Sequence, residues 1–242
     1  SHVQVFDDEI AFALKDTGCL IAKFGLESGS DRVRKEVLWR YMPNKRILES
    51  FRSAQRYDLH TSAFVMLGLP TETREEIEET LKMCAEIQMG RFRWALFYPF
   101  PGTAGYTMAK DLDLIDFERA KAMGNYFDAS CLRFDDDMNL YLEKLAVFCH
   151  WYVNARSDWP SREIYAELVE ELESMSRQEF RERRDDLARR DRTLSDELME
   201  KDVVHYTQRY SHVMGVRSDF VKWEREQLAR GEILRPTTYT LD

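Results

Sequence analysis

Three short apolar runs occur in the first hundred residues, and each ends in a turn rich in glycine or proline. The runs cover residues 19–24, 60–67 and 92–98. Between them, apolar residues recur every three or four positions, which is the helical period. The order strand, helix, strand, helix, strand, with long crossovers, predicts three parallel strands. Their carboxyl ends then face one side, where α/β sheets bind ligands.

Residues typical of helix ends support the predicted helices. Residues 7–17 have a helical apolar spacing that stops at Gly18. Asn44 is placed to cap the helix after the first strand. Thr73 and Glu76 have the spacing of a capping box, so we expect a helix to begin there.

The pattern changes after about residue 110. Helices without convincing strands are predicted over 116–129, 137–155, 161–183, 195–213 and 217–230. We therefore expect an α/β region over residues 1–110 and a helical region over 111–242. The stretch 177–201 is densely charged with mixed signs, which is typical of a solvated helix face and less often of a partner-docking arm.

The composition of the chain argues against several classes of function. A chain of 242 residues with 44% hydrophobic content can bury a sizeable core, and its net charge of −9 argues against a general nucleic-acid binder. It contains no apolar run of about eighteen residues and no signal-peptide pattern, so a cytoplasmic protein without a membrane span is expected. The chain starts at Ser1-His2 without methionine, so we expect a fragment of a longer polypeptide.

Two charged residues are candidates for ligand binding. Glu27 stands where the first strand ends, and a carboxylate there can accept two hydroxyl hydrogen bonds, as a ribose offers. The alternative is that Glu27 pairs within its own loop. Arg40 lies in a loop where a guanidinium can bind a carboxylate bidentately, although an exposed arginine is more often a solubilising residue. No catalytic residue and no metal site is predicted.

Four segments together resemble the second half of a radical S-adenosylmethionine (SAM) enzyme, especially the group with a preceding cobalamin-binding domain. The resemblance covers about residues 5–110 and rests on Gly25-Leu26-Glu27-Ser28-Gly29-Ser30, Val37-Leu38-Trp39-Arg40, Gly68-Leu69-Pro70-Thr71-Glu72-Thr73 and Phe97-Tyr98-Pro99-Phe100-Pro101-Gly102-Thr103. It implies the C-terminal part of a (β/α)6 partial barrel, with strands four, five and six present here.

The same resemblance implies roles for particular residues. Glu27 would meet the ribose of SAM, Arg40 its carboxylate, and Met66 the adenine face. The backbone near Tyr98 would meet the adenine edge. Ser28 and Gly68 complete the expected cofactor-binding set, because they offer a polar group and a close backbone approach.

One family feature is missing from this sequence. The C-x-x-x-C-x-x-C loop that holds the [4Fe-4S] cluster has no counterpart among Cys19, Cys84, Cys131 and Cys149, which we expect to be buried small residues. The chain alone is then not an enzyme. The longer protein from which it comes would supply the cluster and bind SAM, and in some members of the family it would include cobalamin. The alternative is a cluster-free binding or assembly module.

Partners follow from the missing strands. We expect the N-terminal half of the same polypeptide to cover the edge of strand 19–24. Otherwise a second copy, the N-terminal segment or the helical tail should cover it, because exposed edges invite pairing. The substrate is open, since methyl transfer, methylthiolation and ring cyclisation all use this scaffold.

Overall fold

The computed structural model describes residues 2–125 and 127–233. Three strands, β1 (Ile21–Glu27), β2 (His60–Leu67) and β3 (Arg91–Leu96), form a parallel sheet in the order β1-β2-β3. The register aligns Phe24 with Ala63, and Ala63 with Phe92. The prediction of three parallel strands is therefore confirmed, and the chain is an α/β protein.

Nine helices lie in the described ranges. They are α1 (Asp8–Asp16), α2 (Asn44–Arg56), α3 (Arg74–Ile87), α4 (Ala104–Asp111), α5 (Phe117–Ala122), α6 (Asp136–Asn154), α7 (Arg162–Ser174), α8 (Arg177–Glu200) and α9 (Ser218–Arg230). A π-helical turn covers Val33–Val37. The predicted capping box is confirmed, because the Thr73 side chain accepts from the Glu76 amide while the Glu76 carboxylate accepts from the Thr73 amide.

The two faces of the parallel sheet differ. Phe24, Val65 and Trp94 point to one face and are almost fully buried in a core shared with α2, α3 and α6. Trp94 also donates its indole N–H to the Ala146 carbonyl at 3.0 Å. The alternate strand positions, such as Phe64, point to the opposite face, which we call the open face because several of its side chains are exposed.

The C-terminal region is not purely helical, so the predicted helix over 195–213 is wrong. Helix α8 ends at Glu200, and the chain then forms β4 (Tyr206–Gln208) and β5 (Met214–Arg217). Strand β5 pairs antiparallel with β3, and β4 pairs with β5. The reason is tertiary: β3 has backbone groups on the side away from β2, and pairing with β5 satisfies them. The signal was the run of β-branched and aromatic residues over 203–207.

Other helix boundaries differ in detail. The predicted helix over 161–183 is two helices, which meet at Met175 in extended conformation and at the cap Ser176. Among the described residues of the segment predicted as helix over 116–129, those of α5 are helical. The charged stretch is α8, whose buried residues recur on one side. Several of its charged residues form surface ion pairs, such as Arg183 with Glu171 at 2.5 Å.

Strand β1 is an edge of the sheet. In the part of the chain that the structure describes, β1 pairs only with β2. The N-terminal segment does not add a strand there: Phe6 packs against Phe24 with ring centroids 4.9 Å apart, on the helix-covered face. On the opposite side, the β4–β5 hairpin extends the sheet beyond β3, so that the short strand β4 is the other edge. Across the same described ranges, none of the helices has the length and apolarity to span a membrane.

Candidate cofactor site

The carboxyl end of β1 is irregular, and this irregularity sets the position of Glu27. The register with β2 shifts between Gly25 and Glu27, and Glu27 has a left-handed backbone with φ of 64°. Such a bulge redirects the side chain that follows it. A Cβ added at Gly25 would lie 2.5 Å from Oε1 of Glu27. The carboxylate therefore folds back over Gly25, on the open face, and only glycine leaves room for it.

Glu27 and Arg40 are brought into direct contact. Nη1 of Arg40 donates to Oε1 of Glu27 at 2.6 Å, and both side chains are partly exposed. A guanidinium has five N–H donors and a carboxylate has two acceptor oxygens, so each group keeps capacity for a ligand beyond this one bond. The two residues that the sequence indicated thus form one charged pair at the end of β1.

A buried arginine that we did not single out from the sequence fixes this arrangement. Arg34 is fully buried and donates to the carbonyls of Ser28 at 2.6 Å and Met42 at 2.9 Å. Its own carbonyl accepts from the Arg40 amide at 2.8 Å. Arg34 therefore joins the loop after β1 to the loop that carries Arg40. The residues around it are mostly charged, so the sequence offered no signal that this arginine is buried.

Ser28 lies in a buried network behind the pair. Its hydroxyl donates to Oε1 of Glu72 at 3.4 Å and lies 3.3 Å from the Thr80 hydroxyl. Glu72 is fully buried and accepts from the Leu69 amide at 3.0 Å. Burial raises the pKa of Glu72 to about 8, although these hydrogen bonds oppose the shift. The network locks the loop after β1 onto the loop after β2.

The remaining predicted residues occupy the ends of β2 and β3. Met66 is half-buried, on the same face as Phe64. Gly68 follows β2 with a φ of 70°, and a Cβ there would lie 3.0 Å from Leu142. Tyr98 follows β3, and its carbonyl accepts from the Phe100 amide at 3.0 Å. All three lie at the carboxyl end of the parallel strands, as Glu27 does.

This geometry defines a class of site: a charged pair and neighbouring turns at the carboxyl ends of parallel strands, on a sheet face where several of the described side chains are exposed. The model of the Radical SAM superfamily matches residues 2–84, which include β1, β2 and the Glu27–Arg40 pair. In this segment, which is about a third of the chain, the sequence is similar to the radical SAM superfamily.

Two curated proteins and one solved structure are each similar to part of this chain. An uncharacterized methyltransferase of Pyrococcus horikoshii is 31% identical over 46% of this chain. A tRNA-2-methylthio-N(6)-dimethylallyladenosine synthase of Bartonella tribocorum is 32% identical over 47% of it. The chain spans 25% of the length of each relative. The methyltransferase TsrM of Kitasatospora setae, solved with cobalamin and a [4Fe-4S] cluster, gives a TM-score of 0.43 at 16% identity, over 56% of this chain and 26% of that one.

The cysteines of this chain do not fit a family cluster. An iron–sulfur cluster needs several thiolates around one point, whereas the described residues contain no group of three metal-binding side chains. Cys84, Cys131 and Cys149 are buried, and burial raises the pKa of the Cys84 thiol to about 12 and that of Cys149 well above its usual value. Protonated, dispersed thiols are poor ligands.

Proposed function

We propose that this chain contributes part of the SAM pocket of a radical SAM enzyme. The observation that carries the proposal is the Glu27–Arg40 pair, held at 2.6 Å on the open face within the segment that matches the family. In this proposal Glu27 accepts the ribose hydroxyls through its second oxygen, and Arg40 binds the methionyl carboxylate through its remaining donors. Met66, Gly68, Ser28 and the backbone near Tyr98 complete the pocket.

The cluster belongs to residues outside this chain in the same proposal. When bound, a [4Fe-4S] cluster supplies the electron that cleaves SAM, and this chain's residues only bind and orient the cofactor. The N-terminal half of the polypeptide, which carries the cluster cysteines and the first three strands, would pair with the open edge of β1. A preceding cobalamin domain and a cytoplasmic location are further parts of the proposal.

The test compares variants of the protein encoded by the full reading frame, after anaerobic reconstitution with iron and sulfide. Glu27→Ala and Arg40→Ala each remove a charge-assisted contact of about 1.5–3 kcal/mol, so SAM should bind roughly tenfold to a hundredfold more weakly. Iron content should not change, because neither residue is a cluster ligand. Calorimetric titration of SAM, with iron counted in each sample, gives both quantities.

A matched control exists elsewhere on the surface. Arg52 and Glu86 form an exposed ion pair at 3.3 Å between α2 and α3, so Arg52→Ala and Glu86→Ala should leave SAM affinity unchanged. Wild-type affinity in both Glu27→Ala and Arg40→Ala would remove the pair from the cofactor site. A full reading frame that holds no iron would favour the second candidate, a cluster-free binding or assembly module, which the unpaired edge of β1 also suits.

A further inference from the structure

The loop after β1 packs directly against the middle of α3. A Cβ added at Gly29 would lie 2.5 Å from Cα of Thr80 and 2.6 Å from the carbonyl oxygen of Glu79. Both are backbone atoms of a helix, which the helical hydrogen bonds hold in place. Glycine is therefore required at position 29 because the backbone of the loop approaches that of α3 so closely.

The Thr80 hydroxyl makes a hydrogen bond at this contact. Thr80 is fully buried, and its Oγ1 accepts from the Gly29 amide at 2.7 Å. The same hydroxyl donates to the Glu76 carbonyl, one turn earlier in α3, at 3.1 Å. A hydroxyl has one donor and two acceptor positions, so its proton is used within the helix while a lone pair is directed at the loop. Thr80 therefore binds the loop as well as packing against it.

Ser28 extends this contact to its neighbours in the loop. Its hydroxyl lies 3.3 Å from that of Thr80 and accepts from the Ser30 amide at 3.2 Å. Its carbonyl accepts from Arg34 at 2.6 Å. Buried partners thus hold the backbone of residues 28–30. Glu27 immediately precedes this segment, so the position of its carboxylate depends on where the segment is held.

The backbone of Glu27 needs such a restraint. Its φ of 64° lies in a region that residues other than glycine rarely adopt, and such a conformation persists only where the surrounding structure imposes it. The register with β2 is regular only as far as Gly25. Restraints beyond the strand are therefore needed, and the hydrogen bond from Gly29 to Thr80 supplies one of them two residues after Glu27.

We propose that Thr80 is a positioning residue for the Glu27–Arg40 pair. Through Gly29 it sets the position of the Glu27 carboxylate, and through that carboxylate it sets the affinity for SAM. Thr80 is buried behind the loop, so it acts on the cofactor only through other residues. This inference rests on the proposed function, because it concerns the same site.

The first test uses the 242-residue chain without a cofactor. Thr80→Val leaves the buried Gly29 amide without its acceptor, so this amide should exchange with solvent at least about tenfold faster. The NMR amide signals of Gly29 and Glu27 should both shift, whereas Thr80→Ser, which keeps the hydroxyl, should leave them in place. Thr61→Val is the matched control: Thr61 is also buried and accepts from a glycine amide, that of Gly90, at 3.4 Å at the amino end of β2.

The second test uses the reconstituted protein encoded by the full reading frame. SAM should bind at least about threefold more weakly to Thr80→Val than to the wild type, with unchanged iron content. Thr80→Ser and Thr61→Val should keep the wild-type affinity. Because Thr80 acts through Glu27, Thr80→Val should cause little further loss of affinity once Glu27 is alanine.

Four results would overturn the inference: an unshifted Glu27 signal in Thr80→Val, wild-type SAM affinity in that variant, an equal loss in Thr61→Val, or a loss that adds fully to that of Glu27→Ala. Failure of the two proposals is distinguishable. If Glu27→Ala and Arg40→Ala weaken SAM binding while Thr80→Val does not, only the positioning role fails. If Glu27→Ala and Arg40→Ala keep wild-type affinity, the cofactor site fails, and the Glu27 signal still shows whether Thr80 positions this residue.

Discussion

Individual residues near the end of β1 show what a sequence pattern conveys about a site. The position of Glu27 at a strand end followed from the apolar run before it. Its contact with Arg40 did not, because that contact depends on a bulge, a left-handed backbone and the missing side chain of Gly25. Arg34 was overlooked because burial of a charge is visible only when the partners are in place.

Glu72 makes stability depend on pH. Its pKa in the folded chain, about 8, lies above the usual 4.5, so the folded protein binds this proton more tightly than the unfolded chain does. The associated stabilisation is complete below pH of about 4.5 and is lost as the pH rises through about 8, at up to about 1.4 kcal/mol per pH unit. Glu72→Gln should remove this loss, since glutamine still accepts from the Leu69 amide.

Urea unfolding at several pH values between about 5 and about 8 measures the effect. The free energy of unfolding of Glu72→Gln should exceed that of the wild type by an amount that grows with pH. Glu79→Gln, at an exposed position on α3, is the control and should follow the wild type. Parallel pH profiles for Glu72→Gln and the wild type would contradict the assignment.

Among the secondary-structure elements, those determined by nearby residues were predicted correctly, and those that depend on a distant strand were not. The three parallel strands and the capping box of α3 follow from patterns contained in a few consecutive residues, and both were predicted correctly. The β4–β5 hairpin was not, because its strands have three and four residues and owe their conformation to β3, more than a hundred residues earlier.

The hairpin depends on glycine at one contact with β3. A Cβ at Gly215 would lie 2.6 Å from the ring of Phe92, which is fully buried and enclosed by Trp94 and Tyr206. Gly215→Ala should therefore lower the free energy of unfolding by about 1–3 kcal/mol. Gly124→Ala, where a Cβ would meet nothing within 4 Å, is the matched control. Equal urea midpoints for the two variants would show that the Phe92 ring moves aside freely.

For the whole molecule, the two edges of the sheet are unequal. The hairpin extends the sheet beyond β3, while β1 has no strand beyond it in the ranges that the structure describes. Neither the N-terminal segment nor the helical tail adds a strand to β1 in the described residues, although the sequence predicted, from the missing strands of the family, an edge there that one of them or a second copy would cover. The sequence could not predict that the C-terminal region would extend the sheet on the other side, because that requires knowledge of the long-range pairing.

Hydrogen exchange should report this inequality. Alternate amides of β1 point away from β2, so in the isolated chain they should exchange at least about a hundredfold faster than the amides of β2. The measurement is NMR-detected exchange at two protein concentrations. Protection of these amides that rises with concentration would show pairing with a second copy. Uniform protection along β1 at both concentrations would contradict an open edge.

The antiparallel closure by β5 also has a consequence for how the chain is made. Arg91 pairs with Val216, so the ribosome must add 125 residues after Arg91 before its partner exists. At about 5–20 residues per second this takes roughly 6–25 s. Closing so long a loop is also entropically slow. For many seconds, therefore, the side of β3 that faces away from β2 has no partner strand, which makes this side of β3 a place for a chaperone to protect.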